Sequence, residues 1–196
     1  MLLQVPPDNS ATARLFQSDL DKYGFIMNLS RLWAWRPEVR EAFSAVQTQL
    51  MSCSSLTQRD LGVLVCATAA SLGDSYCALA WGKLLATASD ASTAASVLQG
   101  SEGNGLTARD QALSVWARKV AKNPNATTLG DVDYLRSAGL SDQEIFEATA
   151  FIAFRLAFST VNDALGARPD WQLAAAAPPE VRSAVTFGRP SAERKE

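Results

Sequence analysis

Hydrophobic residues recur along most of the chain with helical spacing, and no stretch alternates at every second position for long enough to predict a strand. Cap residues followed three positions later by a carboxylate indicate helix starts. These motifs are TQRD (57–60), TARD (107–110), TLGD (128–131) and SDQE (141–144). The pattern predicts an all-α protein. The predicted helices are 9–22, 37–51, 57–72, 74–89, 107–122, 128–138 and 141–165, with short pieces near 29–35 and 92–99.

Two segments, 61–72 and 145–158, are apolar on nearly all sides. A helix without a polar face has to be covered on every side, so both are predicted to be central or to be shared with a second subunit. The motifs LTQRD and LTARD lie fifty residues apart. We interpret them as two helix starts and not as a repeat, because the residues that follow them do not match.

The length of the chain predicts a single domain over residues 1–196, rather than several domains. The core is expected at about 22–166, and the loop GSEGNG (100–105) divides it into halves. The C-terminal extension, 167–196, is rich in Ala and Pro and is predicted to wrap over the body or a neighbour. Its last few residues are predicted to be disordered.

Composition and charge exclude several classes of partner. The chain is 47% hydrophobic and 19% charged, with a net charge of -2 and no basic block, so a nucleic-acid surface is not expected. The most apolar run, 145–158, carries Glu147 and Arg155 and is shorter than the ~20 residues that cross a bilayer. The N-terminus lacks the basic start of a signal peptide. We therefore expect a cytoplasmic protein with no membrane partner.

The lack of histidine and the three cysteines limit the chemistry. Ser-His-Asp and Cys-His catalysis and His-containing metal sites are excluded. Cys53, Cys66 and Cys77 are too irregularly spaced for a disulfide framework or a metal site, so we predict no metal and no cofactor. Cys66 lies in an apolar helix and is expected to be packing, whereas Cys53 follows a helix end.

The segment SLGDSYCALAW (71–81) makes Cys77 the candidate catalytic residue. With Asp74 as N-cap, Cys77 takes the third helical position, where the helix dipole favours a thiolate. The Asp74 carboxylate opposes this, because a nearby negative charge raises a thiol pKa. Two alternatives stay open: Cys77 packs as a small hydrophobe, and Asp74 acts either as a cap alone or also as a base or ligand-binding carboxylate.

Three segments, taken in order, carry a family resemblance: KYGFIMNLSRLWAWRPEVREAF (22–43), LTQRDLGVLVCATAASLGDSYC (56–77) and the stretch from LTARD to DALG (106–166). Together they resemble the AhpD-like, or carboxymuconolactone decarboxylase, superfamily, and within it the peroxidase-related proteins. The resemblance implies an all-α fold that assembles as trimers or larger oligomers, and hydroperoxide reduction in the active members.

The same resemblance implies where a site would lie. The family site is a Glu, then twelve residues on a Cys-x-x-Cys, then a His four residues after the second Cys. These four positions fall on Gly62, Asp74, Cys77 and Trp81, so only the second Cys is retained. Two Asn positions in the last long helix fall on Leu156 and Ser159.

Trp81 and Arg155 each have several interpretations. Trp81 either fills the cavity of the family's site, forms an aromatic wall of a binding pocket, or packs in the core. Arg155 stands in the apolar run FIAFRLAF. It is expected either to pair with Asp74 across a pocket or to pair with a carboxylate of a neighbouring subunit. The third alternative is that its aliphatic part lies along apolar surface while its guanidinium group reaches water.

Three functions follow as alternatives. The first is an AhpD-like, peroxidase-related oxidoreductase of the antioxidant, hydroperoxide-reducing class, working at Cys77 with an external thiol reductant. The second is a non-redox enzyme or small-molecule binder in a remodelled pocket. The third is an inactive oligomeric scaffold. In each case a homo-oligomer is expected, as a trimer, hexamer or dimer. The pocket-lining candidates are Asp74, Trp81, Gly62, Arg155 and Ser159.

Overall fold

The structure is a computed structural model that describes residues 1–103 and 105–194. Within those residues it contains eleven α-helices, one short 3-10 helix and no β-strand, so the all-α prediction is confirmed. None of the described helices is both long and apolar enough to cross a membrane. The α-helices are α1 (Ser10–Tyr23), α2 (Asn28–Trp33), α3 (Pro37–Met51), α4 (Gln58–Leu72), α5 (Ser75–Ala88), α6 (Ala91–Gln99), α7 (Ala108–Lys122), α8 (Leu129–Ser137), α9 (Asp142–Ala164), α10 (Trp171–Ala176) and α11 (Pro179–Ala184).

Local end signals explain why the helices begin and end where the sequence predicts. Thr57, Thr107 and Ser141 form capping boxes, in which the cap side chain and a carboxylate three residues on satisfy each other's backbone N–H groups. Gly73 and Gly100 end α4 and α6 in the left-handed conformation that favours glycine. In the loop 100–105, Asn104 lies outside the described residues.

The two apolar segments differ in how far the rest of the chain covers them. In α4, every residue from 60 to 69 is buried, so this helix is central, as predicted. In α9, Phe146 is 69% exposed, and Ala153 and Ala157 also face outward. The outer face of α9 is therefore uncovered in the single chain, and its predicted sharing with a second subunit stays a prediction.

The C-terminal extension packs back over the body. Val181 on α11 is fully buried. It lies so close to Gly82 of α5 that an added Cβ there would be 2.6 Å from a Val181 methyl carbon. The extension thus wraps over its own chain, one of the two predicted alternatives. The predicted disorder of the last residues concerns Lys195 and Glu196, which lie outside the described residues, and stays a prediction.

A segment that we call the C-terminal strap, residues 186–192, covers the turn between α4 and α5. Gly188 has a φ of +74°, and a Cβ there would lie 2.3 Å from the Gly73 carbonyl oxygen. Only glycine therefore fits at this position. The Ser75 hydroxyl donates to the Arg189 carbonyl oxygen at 2.7 Å. The strap is also held by Arg168, which donates to the carbonyl oxygens of the strap's proline and serine at 3.1 and 2.6 Å.

Candidate functional site

The turn between α4 and α5 sets the position of the candidate thiol. Gly73 ends α4, and Asp74 then caps α5 by accepting a hydrogen bond from the Cys77 backbone N–H at 2.9 Å. The N-cap interpretation of Asp74 is therefore confirmed. Cys77 sits in the first turn of α5 and is 3% exposed. The turn thus holds the sulfur inside the protein, close to the positive end of its own helix.

Two side chains of α9 contact the sulfur. An Nη atom of Arg155 donates to Cys77 Sγ at 2.8 Å, and the Ser159 hydroxyl donates to the same sulfur at 3.7 Å. Arg155 and Ser159 are four residues apart, so they project from the same face of the helix. The structure therefore brings together four candidates: Asp74, Cys77, Arg155 and Ser159.

These neighbours act on the thiol pKa in opposite directions. Burial, with a contribution from the negative charge of the Asp74 carboxylate, raises the pKa of Cys77 to about 12. Arg155 and Ser159 act against this rise, because both favour the thiolate. At neutral pH the resting group is the protonated thiol. It lies between an acceptor that can take its proton and donors that can stabilise the anion.

Both flanking charged groups keep an atom with no hydrogen-bond partner among the described residues. Asp74 is fully buried, and its Oδ2 is an unused acceptor; Arg155 is 7% exposed, and its Nε is an unused donor. No ion pair within 4.0 Å joins Asp74 to Arg155 in the described chain. The Asp74–Arg155 pair that the sequence left open is thus not formed, and the two groups flank the sulfur instead.

The Arg155 guanidinium lies against aromatic rings instead of extending into water. Its central carbon is 5.6 Å from the centre of the Trp81 ring and 4.9 Å from that of Phe158. Trp81 also meets Phe151 edge to face, with ring centres 6.3 Å apart. Trp81 therefore packs on the core, with its ring beside the Arg155 guanidinium, and its role as the wall of a pocket stays a prediction.

The remaining predicted positions lie away from the sulfur. Gly62 packs against Leu85, two turns along α5 from Cys77, and a Cβ at Gly62 would be 3.0 Å from Leu85 Cβ. The close packing of α4 on α5 crowds any side chain at this position, where the family resemblance implies a glutamate. Leu156 is partly buried and packs on the core.

Sequence reasoning missed Phe158, Asn162, Asp163 and Arg40. Phe158 and Asn162 follow Arg155 by three and seven residues, so helical spacing could have found them. Burial raises the pKa of Asp163 to about 7, with the charge of Asp74 adding to the rise and Arg189 opposing it. No local signal points to Arg40, because it comes from a distant helix.

The other two cysteines are not equivalent. Cys66 is fully buried in α4, as expected for packing, and burial together with the charge of Cys77 raises its pKa. Cys53 is exposed. Among the described residues there is no group of three His, Cys, Asp or Glu side chains that could hold a metal ion.

Comparison with known proteins gives structural neighbours only. No family model matches the chain, and no curated protein matches it. One neighbour is a crystal structure described as an alkylhydroperoxidase AhpD core, an uncharacterized peroxidase-related protein from Ralstonia eutropha JMP134. Its sequence is 25% identical to this chain, and the two structures match with a TM-score of 0.77. The match covers 88% of this chain and 93% of that one. An uncharacterized peroxidase-related protein from Silicibacter sp. TM1040 is 20% identical over the same shares, with a TM-score of 0.76.

A third neighbour is the debrominase Bmp8, which is 13% identical with a TM-score of 0.71, covering 94% of this chain and 97% of that one. A Bmp8 variant with one cysteine replaced by alanine was solved in complex with 2,3,4-tribromopyrrole. These likenesses extend over most of each chain. They therefore concern the whole arrangement of helices and not a single motif.

Proposed function

We propose that this chain, whose fold is similar to that of the AhpD core protein, is an AhpD-like, peroxidase-related protein of the antioxidant, hydroperoxide-reducing class with an altered site. Cys77 is the reacting thiol. The observation that carries the proposal is the 2.8 Å contact between Arg155 and Cys77 Sγ, with the Asp74 carboxylate held at the start of the same helix by the Cys77 backbone N–H at 2.9 Å. Asp74 as proton acceptor and Arg155 as stabiliser of the thiolate replace the Glu and His of the family site, which this chain lacks.

The first half of the reaction uses the chain's own groups. Asp74 accepts the thiol proton through its unused oxygen, and Arg155 and Ser159 stabilise the thiolate. The thiolate attacks one oxygen of the hydroperoxide, the O–O bond breaks, and the leaving alkoxide takes the proton back from Asp74. Cys77 ends as a sulfenic acid, and the hydroperoxide ends as an alcohol.

The second half needs an external thiol reductant, because Asp74 stands where the family has its other cysteine. One reductant thiol condenses with the sulfenic acid, releasing water and forming a mixed disulfide. A second reductant thiol attacks the reductant sulfur of that disulfide, forming the reductant's own disulfide and restoring the Cys77 thiol. A thiol compound or protein of the cytoplasm, where we propose that the protein resides, would supply both electrons.

The experiment is peroxide consumption with excess dithiothreitol by the wild type, Cys77→Ser and the exposed-cysteine control Cys53→Ser. We expect turnover by the wild type and by the control, and none by Cys77→Ser. Asp74→Asn should lower the rate about 100-fold, because it removes the general base that accepts the thiol proton. We expect this loss to outweigh the easier formation of the thiolate once the Asp74 charge is removed. Equal, negligible turnover by the wild type and Cys77→Ser would overturn the proposal in favour of a non-redox role or an inactive scaffold.

We also propose a homo-oligomer, as a trimer, hexamer or dimer. The support is the uncovered apolar face of α9, where Phe146 is 69% exposed. A second copy of the chain would remove this face from water. Light scattering at micromolar concentration tests the proposal, and a strict monomer would contradict it.

A further inference from the structure

A cavity lies between the C-terminal strap and the helices that the strap covers. Its volume is about 430 Å³, which falls in the range of about 300–1,000 Å³ typical of small-molecule sites. Ser75 and Leu79 of α5 form one side of the cavity, and α10, α11 and the strap form the others. Cys77 lies between Ser75 and Leu79 in the chain and therefore projects from the other side of α5. The cavity is thus separate from the thiol site.

The strap wall of this cavity is held in place by hydrogen bonds to its backbone. The Ser75 hydroxyl holds the Arg189 carbonyl oxygen, and the Arg168 guanidinium holds the next two carbonyl oxygens of the strap. At the end of the strap, the Ala192 N–H donates to the Pro169 carbonyl oxygen at 2.7 Å. A wall that is fixed before binding loses little conformational freedom when a ligand arrives. The cavity is therefore preorganised.

Two arginines bring positive charge to the cavity, and none of the described residues that line it is acidic. An Nη atom of Arg182 donates to the Ala177 carbonyl oxygen, and an Nη atom of Arg189 donates to the Asp163 carbonyl oxygen, both at 3.2 Å. These partners are neutral, and no carboxylate of the described chain lies within 4.0 Å of either guanidinium. Each guanidinium has further N–H donors, which suit an anion in the cavity.

The rest of the lining is largely apolar. Leu79 is buried, and Ala174, Val185 and Phe187 are partly buried and pack against the core. Only one of these four side chains is aromatic, so the lining lacks the paired ring walls that would favour a flat ligand. A flexible aliphatic chain fits such a surface and gains free energy by leaving water.

We propose that this cavity binds a small amphipathic anion, which has a carboxylate or phosphate head and an aliphatic chain of medium length. The head accepts hydrogen bonds from Arg182 and Arg189, because the guanidinium fork matches the oxygens of either head group. The chain packs against Leu79, Val185 and Phe187. The ligand bridges α5, α11 and the strap, and its binding does not require the thiol.

The test is isothermal titration calorimetry of the full chain with four probes: octanoate, octyl phosphate, octanol and acetate. Octanol keeps the chain and removes the charge, whereas acetate keeps the charge and removes the chain. We expect octanoate or octyl phosphate to bind at least about tenfold more tightly than octanol and acetate, because the head and the chain each contribute on this scale. The tighter of the two anions identifies the head group. No binding of either anion, or an affinity no higher than that of octanol or acetate, would overturn the proposal.

Variants locate the ligand. Arg182→Gln and Arg189→Gln should each weaken binding of the tighter anion about fivefold, because each removes one charge-assisted contact at a solvent-accessible position. Arg36→Gln removes the same charge from an exposed arginine outside the lining and should leave the affinity unchanged. Circular dichroism checks that each variant folds, and Arg189→Lys, which keeps the charge, should recover part of the affinity. Unchanged binding by a folded double variant, Arg182→Gln with Arg189→Gln, would refute the assignment.

The same titration distinguishes this proposal from the proposed peroxidase activity. Cys77→Ser should bind the anion as the wild type does, because Cys77 does not line the cavity. A loss of binding by folded Cys77→Ser would place the ligand at the thiol and would refute the cavity assignment. Negligible peroxide turnover by the wild type would leave the expected binding unchanged.

Discussion

Two regions of the molecule treat their arginines in opposite ways. At the starts of α4 and α7, Arg59 donates to Asp110 at 2.6 Å and Arg109 donates to Asp60 at 3.0 Å, so each capping motif supplies the partner of the other. Arg109 also reaches Glu144 at the start of α9, at 2.7 Å. We call this group the cap cluster. Beside the thiol, Arg155 has no carboxylate partner in the described chain.

The difference separates stability from function. In the cap cluster, the Asp110 carboxylate accepts from Arg59 and from its own helix start, and these bonds outweigh burial and hold the pKa of Asp110 below its ordinary value. Every charge there has its counterpart within the fold. Around Arg155, the positive charge is buried against the Cys77 sulfur and two aromatic rings, with no carboxylate, and such arrangements are found more often at functional sites than elsewhere.

The largest expected effect is on the reactivity of Cys77. In a chain with Cys53→Ser and Cys66→Ser, the rate of iodoacetamide alkylation should rise about tenfold per pH unit from 7 to 10, because the thiolate reacts and the thiol pKa is about 12. The rise over this range is therefore about a thousandfold. A rate that levels off below pH 9 would show that the thiol is not held protonated. Arg155→Gln should slow alkylation at every pH, since it removes a group that lowers the pKa.

A smaller effect should distinguish the two regions in stability. Arg59→Gln leaves the buried Asp110 carboxylate without its partner and should lower the free energy of unfolding by about 2–3 kcal/mol. Arg155→Gln removes a charge that has no carboxylate partner and should change it by less than about 1 kcal/mol. Urea denaturation at pH 7 measures both. Equal losses would erase the distinction between the regions.

A third difference is a pH dependence of stability from Asp163. Its folded-state pKa is about 7, above the ordinary value near 4, so the folded protein holds this proton more tightly than the unfolded chain does. Stability from this group is present at low pH and is lost as the pH rises from about 4 to about 7. Asp163→Asn should remove that part of the slope in urea midpoints. Identical slopes for the two proteins would show that burial at Asp163 has no such consequence.

The sequence predicted what local signals determine. Caps and glycine ends gave the bounds of α1 to α9 within one or two residues, whereas the short helices α10 and α11 were not predicted. The residues around Cys77 indicated Asp74 as its cap. Contacts between distant helices were only partly accessible, since Arg155 and Cys77 are 78 positions apart. Helical spacing shows that Arg155 and Ser159 share a face but not which sulfur that face meets. The reciprocal bridges between LTQRD and LTARD were hidden for the same reason.

The C-terminal strap has a consequence for biosynthesis. Ser75 and Arg189, which hydrogen-bond across the α4–α5 turn, are 114 positions apart. While a ribosome is still making the segments between them, the turn lacks its cover. A nascent chain, or a fragment cleaved before residue 186, therefore carries the α4–α5 turn in a more open setting than the finished protein does.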